Sequence, residues 1–342
     1  MPDKKTNVTI KDIAKRTGYS VNTVSRALRG KADISLATQL RIKEIAREMG
    51  HVNNMLAASL RLGYTNTVAV ILGDISNPHF AIMMKEIESQ ARQYGYTSIL
   101  FNTNEEEEQE LEAINSALNK NVDGIIICPT QKSPCNLEYL RNTGLPFVLI
   151  GRYDEDYSYV VCNDELGGYQ ATKALLDAGH REILMLHGAT YISSARERLK
   201  GYRRAYAQAG IPVNEKLIWE VPVMANGCEA ILKYLDEEEI KYSAIFAFSD
   251  MLAWEAWCCL QQRGRNVPKD CSLIGFDHIQ SRMSLPFRLT TISSYKGQMS
   301  VAAVDILVRQ MREKSGKEQV VIDTALAEGD TVAMHRTFSA SD

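Results

Sequence analysis

Residues 8–49 read VTIKDIAKRTGYSVNTVSRALRGKADISLATQLRIKEIAREM, and the punctuation of this stretch decides how the head of the chain folds. Thr9 stands where it caps a short helix over Lys11–Thr17, with Ile10, Ile13 and Ala14 on one face at helical spacing. Gly18 ends that helix. Ser20 then caps a second helix, Val21–Leu28, whose inward residues are Val24, Ala27 and Leu28. From Ser35 a third runs to Met49, with Leu40, Ile42, Ile45, Ala46 and Met49 closing a three-helix core before Gly50 stops it. Two short helices joined by a glycine-containing turn form a helix-turn-helix, in which the second helix lies in the DNA major groove. Val21, Asn22 and Arg26 are its outward candidates: Val21 for a thymine methyl, Asn22 for adenine, Arg26 for guanine. Thr9, Ser20, Thr23, Ser25 and Arg29 carry the hydroxyls and charge that suit phosphates. The plainer alternative is a three-helix bundle with no nucleic-acid role.

Charge supports the first reading. Residues 1–63 hold twelve Lys and Arg against five Asp and Glu, whereas the chain of 342 residues is −3 overall. A head of +7 on a body of −10 points the head at a polyanion and the body at something else. No apolar run approaches the length of a membrane span, and the basic start leads into no signal-peptide core, so the expectation is a cytoplasmic protein. The seven cysteines show no CxxC spacing and read as reduced, mostly buried thiols.

From Thr67 onward apolar β-rich runs alternate with helical stretches. VAVIL, TSILF, GIIIC and PFVLI make one set; YVVCN, EILML, LIWEVPV, AIFAF and SLIGF make a second. Such alternation predicts an α/β body of two lobes, each a doubly wound parallel sheet. Ligands of open sheets bind beyond the carboxyl ends of the strands. The polar residues there are Asp74, Asn102, Arg152, Asn163, Asp164, His187, Ser249, Asp250 and Asp277, and most are expected to face an interlobe cleft. An acid after a strand also serves as a helix cap, as Asp250 would for 251–263. The run Glu105–Glu108 reads as the favourable negative first turn of a helix. No GxGxxG or GxxxxGK[ST] follows a strand, no GxSxG elbow occurs and no His pair has metal spacing, so enzyme, cofactor and metal readings are set aside.

The TIKDIA and TVSRAL motifs, at their spacing, resemble the DNA-binding head of the lac-repressor (LacI/GalR) family of bacterial transcription regulators. The resemblance continues in order through ISNPHF, Asp164–Gly168, SARERLKGY, SDMLAW, VPKDCSLIGFD and LTTI, covering about residues 8–314. It implies that Val21 and Asn22 set operator specificity. It divides the chain into a head (1–50), a hinge (51–63) and an effector-binding and dimerisation body (64–342). The N-lobe would comprise about 64–158 and 293–322, and the C-lobe about 159–292 and 323–342. It implies a hinge helix that forms on DNA with Ala57 and Leu60 against the duplex, Leu60 as a minor-groove wedge. Asn53 and Ala58 depart from the usual proline and arginine there, and Arg29 and Ser249 from usual asparagines.

In the body the resemblance is to ribose-type periplasmic sugar-binding proteins. It implies effector contacts from His79, Phe80, Arg196 and Asp277, which join the strand-end candidates Asp74, Arg152, Ser249 and Asp250, with Phe80 or Trp254 placed to stack on a pyranose. The expected function is a sequence-specific repressor, released from a pseudo-palindromic double-stranded operator by a small-molecule effector, most simply a sugar. Two-fold operator symmetry implies a homodimer, with a tetramer as the alternative. A co-repressor mechanism, using a purine or a phosphorylated partner protein, is the rival within regulation. A sugar-binding receptor is the rival outside it.

Overall fold

The computed structural model describes residues 8–51, 64–221, 227–238, 240–282 and 287–335. The chain divides into two units, Met1–Thr65 and Asn66–Asp342. Three helices build the first: α1 (Ile10–Thr17), α2 (Val21–Leu28) and α3 (Leu36–Glu48). Thr9 and Asp12 form a reciprocal capping box at the start of α1, and Gly18 closes it in the left-handed conformation at φ 77°. Ser20 caps α2 through the Thr23 amide, and Ser35 caps α3 through that of Thr38. Ile13, Val24, Ala27 and Ile42 are completely buried between the helices. Each large aliphatic among them contributes about 1.5–3 kcal/mol. The expected inward set needs two corrections. Leu28, Ile45 and Met49 are only half-buried, and Leu40 is 59% exposed because it lies on the outer face of α3.

The second unit holds two six-stranded sheets. In chain order its elements are β1 (Thr67–Leu72), α4 (Pro78–Gln93), β2 (Thr97–Asn102), α5 (Glu107–Asn119), β3 (Gly124–Ile127), α6 (Cys135–Asn142), β4 (Phe147–Ile150), β5 (Tyr159–Cys162), α7 (Asp164–Asp177), β6 (Ile183–His187), α8 (Ser193–Gln208), β7 (Ile218–Glu220), α9 (Gly227–Glu238), β8 (Ala244–Ala247), α10 (Asp250–Gln262), β9 (Ser272–Asp277), β10 (Thr290–Ser293), α11 (Lys296–Glu313), β11 (Gln319–Ile322) and β12 (Ala325–Ala327). The strand orders are β11-β5-β4-β3-β1-β2 and β12-β10-β9-β8-β6-β7. Every pairing is parallel except β10 with β12.

Successive residues of β1 face opposite sides of the sheet. Val68, Val70 and Leu72 pack with Met83 and Ile87 of α4, while Ala69 and Ile71 pack with Ile114 and Ala117 of α5. Burial on both faces explains why the strands read as continuous apolar runs. One boundary moves. Tyr159–Cys162 was expected to open the C-lobe, but β5 pairs with β4 and β11 in the N-lobe sheet. The chain therefore crosses between lobes after β5, after β10 and after β11. Two of the crossings are tied together, since Asn163 donates to Asp323 at 2.9 Å and its amide donates to Ile322 O at 2.7 Å. No described helix is long and apolar enough to cross a membrane.

Helices α7 and α8 of the C-lobe meet backbone to backbone. A Cβ on Gly168 would lie 2.2 Å from Arg198 O, and one on Gly201 would lie 2.1 Å from Glu165 O. Only glycine permits this approach, which fixes the position of α8 against α7.

Candidate functional site

On the head, Ser20 is spent in capping α2, and its hydroxyl lies 2.8 Å from that of Thr23. That cap leaves Val21, 46% exposed, and Asn22 on the open first turn. Arg26 forms an ion pair with Asp33 at 2.5 Å. Arg29 folds back on its own helix, donating to Ser25 O at 3.0 Å and to the Ser25 hydroxyl at 2.8 Å. The Thr9 hydroxyl is engaged with Asp12 at 2.7 Å but remains at the surface. Of the expected base-reading and phosphate-facing residues, Thr9, Ser20, Val21, Asn22 and Arg29 are exposed, while Thr23, Ser25 and Arg26 are half-buried. Ala57, Leu60, Asn53 and Ala58 lie outside the described residues.

In the body, a cavity of about 310 Å³ opens where the carboxyl ends of both sheets converge. Each sheet reverses its strand order there, between β1 and β3 and between β6 and β8, which is the position expected for a ligand cleft. The N-lobe wall carries Asp74, His79, Phe80, Glu105, Cys128 and Arg152. The C-lobe wall carries His187, Arg198, Phe248, Ser249, Glu255 and Asp277. The lobes are bridged at one margin: Ser193 of α8 donates its amide to Gln131 at 2.8 Å, and its hydroxyl accepts from the Tyr153 amide at 3.0 Å. Tyr153 also donates to Glu197 at 2.9 Å.

Six of the nine expected contacts line this cavity: Asp74, His79, Phe80, Arg152, Ser249 and Asp277. Asp74 is braced by Ser76, which donates both its amide and its hydroxyl to the carboxylate. Ser249 caps α10 through the Leu252 amide. Asp277 sits at φ 108°, a conformation that favours glycine and that here turns its carboxylate into the cleft. Across the cleft, His79 Nδ1 lies 3.3 Å from Asp277 Oδ1 but finds no aligned hydrogen-bond partner. Burial pushes the His79 pKa down to about 4 despite Asp277, so its ring is neutral near pH 7.

Three expectations are corrected. Arg196 is absent from the cavity; its side chain is half-exposed, over the Tyr153 ring and beside Glu197. Arg198 occupies the expected place instead, because two residues along α8 turn a side chain to nearly the opposite face. Its guanidinium is buried between Phe276 and Phe248, at 3.5 and 4.5 Å from their ring centroids. It donates to Asp164 at 2.8 Å and stands 3.8 Å from Asp277. Asp250 lies behind the wall, completely buried, accepting from Thr291 at 2.5 Å and the Ile279 amide at 2.8 Å. Burial and then the nearby Asp277 raise its pKa to about 7. Trp254 stacks on Trp257, 4.9 Å between centroids, at the edge of a C-lobe core and away from the cavity.

Sequence reasoning also missed Glu105. It was read into a helix's first turn, but α5 begins at Glu107 and Glu105 reaches into the cavity. Its carboxylate takes both ends of the Arg152 guanidinium, at 2.8 and 3.0 Å. Arg152 is buried and also donates to Pro129 O at 2.6 Å. Burial disfavours its charge, yet Glu105 holds its pKa above the ordinary arginine value. Apolar Phe80 and Phe248 rings set among carboxylates and a paired guanidinium form a surface that can hold a ring bearing several hydroxyls. Among the described residues no group of His, Cys, Asp and Glu is arranged to hold a metal ion.

Comparison with known proteins matches both units. The profile of the family described as "Bacterial regulatory proteins, lacI family" covers residues 9–54. That described as "Periplasmic binding proteins and sugar binding domain of LacI family" covers residues 65–327. The HTH-type transcriptional repressor PurR of Aliivibrio fischeri (strain MJ11) is 32% identical over 317 residues, 91% of this chain and 94% of that protein. Catabolite control protein A of Priestia megaterium is 32% identical over 320 residues, 92% and 96% respectively. Among solved structures, a "transcriptional regulator CelR-cellobiose complex" aligns with a TM-score of 0.70 at 25% identity, over 95% of this chain and 100% of that one.

Proposed function

The chain belongs to the LacI family of bacterial regulatory proteins, which bind DNA through a helix-turn-helix, and from that premise we propose that its own effector is a sugar whose binding releases it from its operator. The observation that carries this reading is the pairing of Asp277 and Arg198 on one wall of the cleft, facing Phe80 on the other. A carboxylate accepts from two neighbouring hydroxyls, a guanidinium donates to their oxygens, and an aromatic ring covers the apolar face of a pyranose. The sugar-binding family profile over the body and the cellobiose complex of a similar regulator support it.

The mechanism follows from the placement of these groups. Asp74, His79 and Phe80 belong to the N-lobe and Arg198, Ser249 and Asp277 to the C-lobe, so a ligand touching both walls shifts the balance between lobe arrangements. In a homodimer on a pseudo-palindromic operator, the lobe arrangement sets the spacing of the two heads. A 100-fold release requires about 2.7 kcal/mol of coupling, and the operator must weaken effector binding equally. The protein acts in the cytoplasm and leaves its effector chemically unchanged.

The test is selection of tight duplexes from random DNA by the full-length protein, followed by titration of the selected duplex with a sugar panel. A palindromic winner released by one sugar is the expected result. Tightening by the effector would overturn release and make the protein co-repressor-dependent. Binding that is insensitive to every sugar would overturn the sugar reading.

A further inference from the structure

We propose that Glu105 sets the charge selectivity of the cleft: by saturating Arg152 it restricts the effector to a sugar carrying no phosphate or carboxylate. The inference rests on the sugar reading of the same site and narrows its substrate class.

Three independent features place Glu105 for this role. Asn104 and Glu105 are consecutive residues in left-handed backbone, φ 50° and 58°. Such conformations are costly for residues other than glycine and persist only where their surroundings hold them. Here they turn the side chain away from α5 and into the cavity. Gly73, just after β1, makes room for it, since a Cβ there would stand 2.1 Å from Glu105 Oε1. The bond to Arg152 is two-pronged, using the geometry by which an arginine otherwise grips a phosphate or a carboxylate. Glu105 therefore occupies the place of an anionic ligand.

Among the described residues, no other cation on the walls is left to receive one. Arg198 already faces Asp164 at 2.8 Å and Asp277 at 3.8 Å. His79 is kept neutral by burial, and burial likewise lowers the pKa of His187. Lys296 reaches toward this region, but its ammonium is buried against the Asp277 and His278 carbonyls. Against these stand Asp74 and Glu255, both on the cavity wall. A phosphorylated sugar would meet a wall whose acids outnumber its cations. A neutral sugar meets hydrogen-bond partners only.

The experiment is calorimetric titration of the full-length protein with glucose, glucose 6-phosphate and inorganic phosphate, using wild type, Glu105→Gln and Glu105→Asp. Wild type and Glu105→Asp, which keep the carboxylate, are expected to ignore inorganic phosphate. Glu105→Gln keeps a hydrogen-bonding side chain but frees the Arg152 charge, and should gain about tenfold or more in affinity for phosphate. A purely structural role for Glu105 predicts no such gain, so a folded Glu105→Gln that still ignores phosphate overturns the proposal. Wild type preferring glucose 6-phosphate to glucose overturns it as well, while leaving the sugar reading intact. If no sugar binds, that reading fails, and the phosphate arm still decides the role of Glu105. If Glu105→Gln folds poorly, its thermal midpoint in phosphate against chloride of equal ionic strength gives the answer. A rise in phosphate supports the freed arginine, and no difference overturns it.

Discussion

Val21 and Asn22 stand at the surface on the first turn of α2, carried there by nothing more than a serine cap and a three-helix core. Arg152 and Arg198 in the cleft are buried, each clasped by a carboxylate from a distant part of the chain. The difference follows from what each surface meets. A reading helix must reach into the groove of a duplex, so its working groups are exposed and change little when truncated. A cleft encloses a small molecule, so its charges lose water before the ligand arrives and must be answered from within. Function and stability are therefore separable on the head and entangled in the body.

That separation can be broken most sharply at Arg198. Asp164→Ala strips the nearer carboxylate from a buried guanidinium and should destabilise the body by about 3–5 kcal/mol, read from urea unfolding of the full-length protein. A loss near zero would mean that Asp277 alone can hold the arginine. Asn22→Ala should leave unfolding unchanged while removing about 1–3 kcal/mol of discrimination at one base pair, seen by competing operator variants at constant salt. An unchanged preferred sequence would move the reading role to another side chain.

Titration of His79 sharpens the comparison further. Its pKa is near 4 in the folded protein and 6.5 in its ordinary state, so between these values the unfolded chain holds the extra proton. Stability then rises with pH across the window of about 4 to 6.5. Asp250, raised from 3.8 to about 7, acts in the opposite direction, stabilising at low pH and losing that contribution as pH climbs toward 7. His79→Asn should therefore flatten the acid-side rise, and Asp250→Asn should steepen it. Unfolding midpoints measured at intervals across the window test both signs. The smallest effect is expected on the head, where Asp33→Asn frees Arg26 from an exposed pair that water and salt screen. Operator affinity should tighten by less than about fivefold, and a weakening would show that Asp33 orients Arg26 for its base.

The legibility of the two regions in the sequence follows the same division. Caps and turns are local, so Ser20, Gly18 and the span Val21–Leu28 could be read directly, and the strands of the body announced themselves as apolar runs. Which sheet a strand joins is not local, and β5 reads equally well as the start of the second lobe. Arg196 and Arg198 lie in one motif, and only the orientation of α8 against α7 decides which faces inward. Trp254 and Asp250 carry plausible chemistry, but α10 directs one to a core edge and buries the other behind the wall. Glu105 was hidden by its neighbours, because a run of glutamates before a helix already has a sufficient explanation. The glycine at position 73 was the available signal, meaningful only once β1 and β2 are known to lie side by side.

The glycine contacts at Gly168 and Gly201 limit how the molecule can respond. With α7 and α8 touching through their backbones, the helix carrying Arg198 cannot slide or roll without taking its neighbour along. The wall bearing Arg198 is thus a plate, and any shift of it against the N-lobe would turn on the three strand crossings. A methyl group at either glycine would therefore push the two helices apart and carry Arg198 with them, although neither glycine lines the cavity.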